Sequence, residues 1–533
     1  MKLSPLLVLF LPTVAFRAIS SPARVPSTRT LRMSLSSANA FAASCGLLVA
    51  APTTTTTAEE GVQNTFTLAP YTLNPSPVSS AAFTTLTSSL PDLLSKVTHR
   101  QCTPSGYKKF LRPNLVTAAL GDPDFTGKMM EIADWVEEQG RSQELTLNVL
   151  RSDYMLQSEG SSGGVQPLQI ELNTIASSFG VLSEKVSGLH AHLAADAADS
   201  TVNDATAAGN LPTNNARAII VDGFADAVSA YGRPGEEGRE KVVVMVIQPG
   251  EKNSIDQFGL QSDLLQRHGI RLLRRSIDSL GSSSTLAGPS KRLVIPDDKG
   301  IPVEVALVYY RAGYTPDDYT PETWDNRKKI EGSHAIKCPD IFSHLAGTKK
   351  IQQVLASETD TLREFCDSAE EAKEISGVFA GLWGFTGDDK EDEEVIHMAI
   401  TNPDGFVFKP QREGGGNNLF GEEMVSALNT MGGEERASYI LMERIQPPVF
   451  RQTLIKGGEV VFEGDCICEL GIFSASLRNY EAEDNGRENL CSDKGNGEGN
   501  GKKKGFILRA KMADTDEGGV AAGYAFLSSP VLI

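Results

Sequence analysis

The sequence predicts a layered α/β fold, and two observations indicate it. Residues 241–247 and 303–309 are short apolar runs, rich in β-branched side chains and bounded by turn residues, as buried strands are. Helical-looking stretches such as residues 339–358 alternate with these runs, which is typical of α/β layers. The chain of 533 residues, 40% of them hydrophobic, is long enough for a large core and for two or more domains.

The C-terminal part predicts an antiparallel meander. Residues 451–455, 459–463 and 466–477 are closely spaced strand candidates, and Gly457 and Gly458 fit a turn between the first two. We therefore expect an antiparallel sheet in addition to the α/β layers.

Two stretches look like surface insertions. Residues 281–291 are rich in Ser and Gly, and residues 481–505 are rich in Gly, Asn, Asp and Lys. Gly501 and Lys502 superficially resemble a P-loop, but its first glycine is replaced by Asn, and Lys503 stands where Ser or Thr would hold magnesium. We interpret residues 481–505 as a solvated loop.

The first 58 residues have the composition of a targeting presequence with a linker. They contain five basic residues and no acid, with an apolar run at 6–16 and a threonine run at 53–57. The apolar run is shorter than the roughly 20 residues that a membrane helix needs, so we expect no stable membrane insertion. A signal-like core followed by a transit-like stretch resembles the bipartite plastid presequence of algae with secondary plastids. Secretion, a mitochondrial leader and an uncleaved cytosolic leader are the alternatives.

The composition also excludes classes of protein. A net charge of −18 argues against a general nucleic-acid binder, which needs a basic face for phosphates. The seven cysteines are scattered, so they predict reduced thiols rather than a disulfide or zinc framework. Cys466 and Cys468 would face one way on a strand, but no second pair accompanies them to complete a metal site.

Residues 406–423, FVFKPQREGGGNNLFGEE, contain the most specific motif. A short apolar strand leads into Lys409, Glu413 and three consecutive glycines at 414–416. The glycines let backbone N–H groups approach an anion, Lys409 supplies a positive charge, and Glu413 can hold a magnesium ion. A flexible hairpin loop is the alternative interpretation. The combination predicts a site for the phosphates of a nucleotide.

This stretch resembles the glycine-rich loop of eukaryotic glutathione synthetases, which are ATP-grasp ligases. Other blocks match the family in the same order, from near residue 68 to the C-terminus: RSDYM (151–155), QIELNT (169–174), YRAGY (310–314), LAGTKK (345–350), LMERI (441–445), ELGIF (469–473), LRAK (508–511) and GGVAAG (518–523). The resemblance implies an ATP-grasp fold with an inserted substrate-binding α/β domain and a glycine-rich lid. It places the N-terminal part of the core at 59–240, the inserted domain at 241–345, and the remaining core and lid at 346–533.

Glu171 and Asn173 are candidate metal ligands. They are two residues apart, so on an extended strand both side chains point to one face, where oxygen ligands suit magnesium. Polar residues that alternate on a half-exposed strand are the alternative interpretation. The resemblance implies that Glu171, Asn173 and Glu413 hold Mg²⁺, with two ions accompanying ATP.

The resemblance also implies a nucleotide site. Lysine suits it, because an ammonium group can follow a phosphate as it moves. Two positions depart from the family: Glu517 stands where Asp is frequent, and Phe420 stands where Tyr is usual, which removes one hydroxyl group beside the nucleotide. The implied ATP-contacting residues are Lys349, Lys409, Gly414, Gly415, Gly416, Asn417, Asn418, Phe420, Met442, Glu443, Arg444, Ile445, Glu469, Lys511 and Glu517.

For a peptide substrate, Arg151 and Arg509 are the main candidates, because a planar guanidinium group can clamp a carboxylate. The resemblance places Arg509 near the reacting phosphate, and we assign both arginines to catalysis. Small residues at 520–522 favour glycine as the second substrate over β-alanine. The implied substrate-binding residues are Arg151, Ser177, Ser178, Glu251, Asn253, Gln257, Arg311, Tyr314, Arg509, Val520 and Ala521.

The expected function is therefore ATP-dependent carbon–nitrogen ligation. The resemblance implies that γ-glutamylcysteine is phosphorylated by ATP and that the acyl phosphate reacts with glycine to give glutathione, ADP and phosphate. It further implies a homodimer, and the net charge of −18 argues against a nucleic-acid partner. A ligase that uses β-alanine or another small amine, and a non-catalytic nucleotide-binding regulator, are the alternatives.

Overall fold

The computed structural model describes residues 28–51, 66–158, 164–196, 210–232, 238–357, 359–412, 416–484, 503–516, 518–520 and 523–533. Within these ranges a mixed sheet of thirteen strands forms the centre, and sheets of three, two and two strands accompany it. Helices pack on this sheet, so the predicted α/β class is confirmed.

The strands are, in chain order, β1 (Leu48–Ala50), β2 (Phe66–Leu68), β3 (Tyr71–Thr72), β4 (Ser76–Val78), β5 (Leu145–Ser158), β6 (Val165–Asn173), β7 (Lys241–Val246), β8 (Leu272–Arg275), β9 (Thr285–Ala287), β10 (Arg292–Pro296), β11 (Pro302–Tyr310), β12 (Ile336–Cys338), β13 (Leu382–Gly384), β14 (Phe406–Pro410), β15 (Tyr439–Glu443), β16 (Phe450–Lys456), β17 (Glu459–Asn479), β18 (Gly505–Met512), β19 (Phe526–Ser528) and β20 (Pro530–Leu532).

The α-helices are α1 (Thr28–Ser44), α2 (Ser80–Thr87), α3 (Leu90–Cys102), α4 (Pro104–Gly106), α5 (Arg112–Gly121), α6 (Lys128–Gln139), α7 (Gly180–Asp196), α8 (Ala216–Ala230), α9 (Ser254–His268), α10 (Ile277–Ser283), α11 (Pro321–Glu331), α12 (Ile341–Ala346), α13 (Lys349–Ser357), α14 (Thr359–Arg363), α15 (Ala369–Ser376), α16 (Asp389–Thr401), α17 (Gly421–Thr430), α18 (Gly433–Arg436) and α19 (Tyr480–Asp484).

The centre of the large sheet is antiparallel. β5 pairs with β6 on one side and with β17 on the other, and β17 also pairs with β16 and β18. The predicted turn at Gly457 and Gly458 joins β16 to β17, and both glycines have positive φ, which favours glycine. Residues 459–463 and 466–477 were expected as separate strands, but they form one strand because its ladder with β16 and then β18 continues across 464–465.

The other part of the large sheet is mainly parallel. β7, β8, β11 and β12 pair in parallel, and β12 joins this part to β5. This part lies within residues 241–345, the predicted inserted domain, and shares one sheet with the rest. Residues 281–291, expected as an insertion, contain the end of α10 and the edge strand β9, which forms a hairpin with β10.

The N-terminal segment, residues 28–51, belongs to the fold. α1 packs on α7, and β1 pairs with β2. Ala38 and Ala42 lie one helical turn apart and are fully buried, as is Leu47. The expectation that all of residues 1–58 lie outside the fold is therefore wrong for 28–51. Small side chains are common in transit peptides, but they also allow helices to pack closely. Residues 1–27 and the threonine run lie outside the described residues.

No helix in the part of the chain that the structure describes is long and apolar enough to cross a membrane. Of the loop expected at 481–505, residues 485–502 lie outside the described ranges, and with them the stretch that superficially resembles a P-loop.

Replacing Leu47 with alanine tests whether residues 28–51 are part of the folded unit. Leu47 is fully buried in the core, and such truncations cost about 2–5 kcal/mol of stability. We expect a clear fall in the thermal unfolding midpoint. Ala43→Ser, at an exposed position of α1, is the control and should melt like the wild type. Equal midpoints for Leu47→Ala and the wild type would contradict the packing.

His190 on α7 makes the stability depend on pH. It is buried between Ser529, 2.7 Å from Nδ1, and the carbonyl oxygen of Thr72, 2.8 Å from Nε2. Burial lowers its pKa to about 4. An unfolded histidine titrates near 6.5, so between these values the unfolded state binds more protons and stability falls as the pH falls.

At pH 5 the cost from His190 is about 2 kcal/mol relative to neutral pH. We expect the thermal midpoint to drop between pH 7 and pH 5, and His190→Gln to reduce that drop. His397→Gln, at an exposed position of α16, is the control. If His190→Gln shows the wild-type slope, other groups cause the acid sensitivity.

Candidate active site

A cavity of about 530 Å³ lies between the large sheet, the three-stranded sheet and the loops around them. Its wall combines residues from β5, β6, β14, β15, β17 and β18. The predicted site residues that line it are Arg151, Glu171, Asn173, Ser178, Glu251, Asn253, Arg311, Tyr314, Lys349, Lys409, Asn417, Asn418, Phe420, Met442, Glu443, Arg444, Ile445, Glu469, Arg509, Lys511 and Val520.

A few predicted residues lie elsewhere. The Ser177 hydroxyl donates to the backbone oxygens of Val149 and Asn173, and Gln257 is buried in α9 without lining the cavity. Gly416 is exposed, with a φ of 83°. The remaining predictions lie outside the described residues: Glu413, Gly414, Gly415, Glu517 and Ala521.

Glu171 and Asn173 stand together on β6, as their spacing predicts. Asn173 Nδ2 donates to Glu171 Oε1 at 3.1 Å. Burial alone would raise the pKa of Glu171, but Lys349, Lys409, Arg151 and Arg509 together lower it to about 2. This carboxylate is therefore ionised throughout the neutral range.

The two lysines converge on the same region from different elements. Lys409 on β14 places Nζ 3.1 Å from the backbone oxygen of Ile170 and 3.7 Å from Met442 Sδ. Lys349, at the start of α13, places Nζ 2.6 Å from the backbone oxygen of Arg412 and 3.9 Å from Glu171 Oε2. Both ammonium groups are thus held by backbone oxygens in the wall of the cavity.

The far wall is held by ion pairs. Glu469 on β17 contacts Arg509 at 3.0 Å and Lys511 at 3.3 Å, and although burial opposes it, these two cations lower the pKa of Glu469. A Cβ at Gly518 would lie 2.2 Å from Glu469 Oε1, so a larger residue there would displace the Glu469 carboxylate. Arg444 and Asp516 bridge two loops at 2.5 Å.

The other end of the cavity is lined from the parallel part of the sheet. Arg311 Nη1 donates to Asp256 at 3.0 Å, and Asp256 also accepts from backbone N–H groups at the start of α7. The amide groups of Asn253 and Gln257 are buried, and in the described part of the chain they have no hydrogen-bond partner. Buried polar groups of this kind are usually satisfied by a ligand or by water.

Sequence reasoning missed two buried carboxylates. Asp153 lies between Arg151 and Arg509, and Asp256 holds Arg311. Asp153 falls in the RSDYM block, two residues after Arg151, so period-two spacing on a strand could have indicated it. For Asp256, the sequence contains no comparable signal.

The residues present fit a magnesium ion. Among the described residues no group of three His, Cys, Asp or Glu side chains could hold a metal alone. Glu171 and Asn173 nevertheless present a carboxylate and an amide side by side, and Mg²⁺ in nucleotide sites typically uses one or two carboxylates together with substrate phosphates.

The fold and the cavity agree with an ATP-dependent ligase, and the comparisons with known proteins show which family of ligases this is. The family model for "Eukaryotic glutathione synthase, ATP binding domain" matches residues 29–532. The chain therefore belongs to the eukaryotic glutathione synthase family, which confirms the resemblance. The match also includes most of the N-terminal segment, well before residue 68, where the resemblance was expected to begin.

Relatives across eukaryotes agree. Glutathione synthetase of Dictyostelium discoideum is 37% identical, covering 77% of this chain and 81% of its own. The Homo sapiens protein of that name is 36% identical over 79% of this chain and 82% of its own, and "Glutathione synthetase, chloroplastic" of Arabidopsis thaliana is 37% identical over 80% and 72%. A glutathione synthetase-like effector of Globodera pallida shares the fold, with a TM-score of 0.70 at 19% identity, over 96% of this chain and 99% of that one.

Proposed function

We propose that this enzyme uses ATP to join γ-glutamylcysteine to glycine, giving glutathione, ADP and phosphate. The observation that supports it most is that one cavity brings Lys349 and Lys409 together with Arg151 and Arg509, and that all four cations act on the Glu171 carboxylate beside Asn173. A nucleotide phosphate and a substrate carboxylate, which repel one another, can therefore be held together.

The γ-glutamyl end of the peptide fits the wall formed by Glu251, Asn253 and Arg311. Its amino acid head group has one ammonium and one carboxylate, and this wall offers one carboxylate, one guanidinium and a buried amide with unused hydrogen-bonding capacity. We propose that Gln257 and Ser177 support this wall from behind and that Ser178 and Tyr314 complete it.

The reaction proceeds in two transfers. An oxygen of the peptide carboxylate attacks the γ-phosphorus of ATP and ADP leaves; the glycine amine then attacks the acyl carbon, phosphate leaves, and the amine loses a proton. Lys349 and Lys409 bind phosphate, and Arg509 stabilises the transferred charge. Glu171, Asn173 and Glu413 would hold Mg²⁺, which, when bound, offsets phosphate charge.

The nucleotide base fits beside β15. Met442, Glu443, Arg444 and Ile445 border this part of the cavity, where backbone groups can contact the edge of the adenine ring. The centre of the Phe420 ring lies 5.7 Å from the Arg444 guanidinium carbon, and the ring offers an apolar face without a hydroxyl group.

Glycine is the acceptor that we propose, because Val520 lines the cavity with a small apolar side chain and neighbouring positions are alanines. β-Alanine, which is one methylene longer, is the alternative acceptor. A methylene in a tight pocket is worth about 10- to 200-fold in discrimination, so direct competition separates them.

The decisive experiment measures ADP release with ATP and Mg²⁺, adding γ-glutamylcysteine and glycine separately and together, with mass spectrometry of the product. Release only with both substrates, and a glutathione mass, would support the proposal. A β-alanine product formed in preference would support the alternative acceptor. ATP binding without ADP release in any mixture would indicate a regulator instead.

We also propose a plastid location, with the presequence confined to residues before α1. The acid-free composition there and two plant relatives named chloroplastic, from Arabidopsis thaliana and Solanum lycopersicum, support it. A fusion of residues 1–27 to a fluorescent protein would show to which compartment this segment directs a protein, with cytosol or mitochondrion as the alternative results.

The homodimer implied by the family is a further proposal, which light scattering of the purified protein checks.

A further inference from the structure

Asp153 lies at the centre of the arginine side of the cavity without lining it. Its side chain is fully buried. Arg151 donates to it through Nε and Nη2, each at 2.8 Å, Arg509 donates through Nη2 at 2.9 Å, and Asn173 donates through Nδ2 at 3.1 Å. One carboxylate therefore contacts two predicted substrate residues and one predicted metal ligand.

The strands explain how these groups meet. Arg151 and Asp153 are two apart on β5, so their side chains share a face, and Arg509 comes from β18 on the far side of β17. Gly471 of β17 is paired with Asp153, and a Cβ there would lie 2.4 Å from Asp153 Oδ1. The missing side chain at Gly471 thus leaves the space that the carboxylate and the Arg151 side chain occupy.

The charge of Asp153 keeps two guanidinium groups close together. Arg151 and Arg509 are largely buried and would repel each other, and a buried charge is costly unless it is paired. Asp153 lies between them, and Glu469 contacts Arg509 from another side at 3.0 Å. Both arginines are therefore held in position by protein groups before any substrate arrives.

Asp153 also sets the direction of the Asn173 amide. Asn173 Nδ2 lies 3.1 Å from Asp153 Oδ2 and 3.1 Å from Glu171 Oε1. With carboxylates at this end, only the donating NH₂ group fits here, because an amide oxygen would repel them. The backbone oxygen of Arg151, 3.3 Å from Nδ2, accepts from the same NH₂ group. The amide oxygen is thereby turned away from Asp153, on a residue that lines the cavity.

We propose that Asp153 is a positioning residue: it fixes Arg151, Arg509 and the oxygen end of Asn173 for the reaction without touching substrate. This inference rests on the proposed function. Its consequence is that neutralising Asp153 should impair use of the peptide and of Mg²⁺, while ATP binding at saturating Mg²⁺ is kept.

Asp153→Asn tests this, since it keeps the size and removes the charge. We expect kcat/KM for γ-glutamylcysteine to fall about 10- to 100-fold, as for a misplaced catalytic group. The Mg²⁺ concentration needed for half-maximal ATP binding, measured by calorimetry without peptide, should rise about tenfold. At saturating Mg²⁺ the KM for ATP should stay within about twofold of the wild type.

The matched control is Glu331→Gln. Glu331 is also a buried carboxylate, paired with Arg327 at 2.9 Å, and neither lines the cavity. This variant should lose stability but keep both the peptide and the Mg²⁺ parameters. If Asp153→Asn does not fold, Gly471→Ala displaces the same carboxylate without changing its charge and should give the same pattern.

The outcomes are distinguishable. Two results would overturn the positioning role. One is a wild-type kcat/KM for the peptide in folded Asp153→Asn. The other is a loss of ATP binding at saturating Mg²⁺ that is as large as the loss of kcat/KM for the peptide. If the wild type itself does not ligate, the proposed function fails, and the inference is then judged by the Mg²⁺ dependence of ATP binding alone.

Discussion

Replacing Arg509 with methionine is expected to lower kcat by about 10²- to 10³-fold, the scale seen when one preorganised electrostatic stabiliser is removed. Arg509 lines the cavity from β18, and its Nη2 atom is held by both Asp153 and Glu469. Its Nε–H has no hydrogen-bond partner among the described residues. A fixed cation in the cavity wall can stabilise charge that moves during phosphoryl and acyl transfer.

Steady-state kinetics with each substrate varied measures this effect. Because Lys349 and Lys409, the residues that we propose bind phosphate, are unchanged, the KM for ATP should change much less than kcat. Arg509→Lys should recover part of the rate, since it restores charge but not the planar donor. Arg275→Met is the control. Arg275 lies outside the cavity wall and pairs with Asp298, with 2.7 Å between Nη2 and Oδ1, so this substitution should leave kcat unchanged. A kcat near the wild-type value for Arg509→Met would refute the assignment.

Local patterns predicted much of the site. The strand before the glycines was correctly placed because its apolar residues, 406–408, sit directly before Lys409, and β14 covers Phe406–Pro410. Glu171 and Asn173 meet because β6 is extended there and period two is a local property. Family resemblance supplied the remaining positions, most of which line one cavity.

Long-range convergence could not be predicted. Arg151 and Arg509 share Asp153 only because β17 pairs with both β5 and β18, and strand pairing between distant segments has no signal in a single sequence. For the N-terminal segment, the sequence contained a signal, but that signal fitted two interpretations. Its composition suggested a leader, yet alanines that help a transit peptide also let α1 pack closely on α7.

Glu171→Gln is expected to lower kcat by about 10²-fold and to raise the Mg²⁺ concentration that the enzyme needs, because it removes the negative charge that the cations of the site share. Lys349, Lys409, Arg151 and Arg509 together lower the pKa of Glu171 to about 2, so the carboxylate is ionised at neutral pH. Glutamine keeps the shape and the contact with Asn173 but leaves these cations less compensated and weakens the proposed metal site.

The measurement is kcat as a function of Mg²⁺ concentration at saturating ATP and peptide, alongside the same titration for Glu463→Gln, an exposed carboxylate of β17 outside the cavity wall. High Mg²⁺ should recover the variant only partly, since the lost charge also balances Lys349, which lies 3.9 Å from Glu171. Complete recovery at high Mg²⁺ would show that Glu171 serves metal affinity alone. An unchanged Mg²⁺ titration with a low kcat would instead make charge balance its main role, because the ion would then be held by other groups.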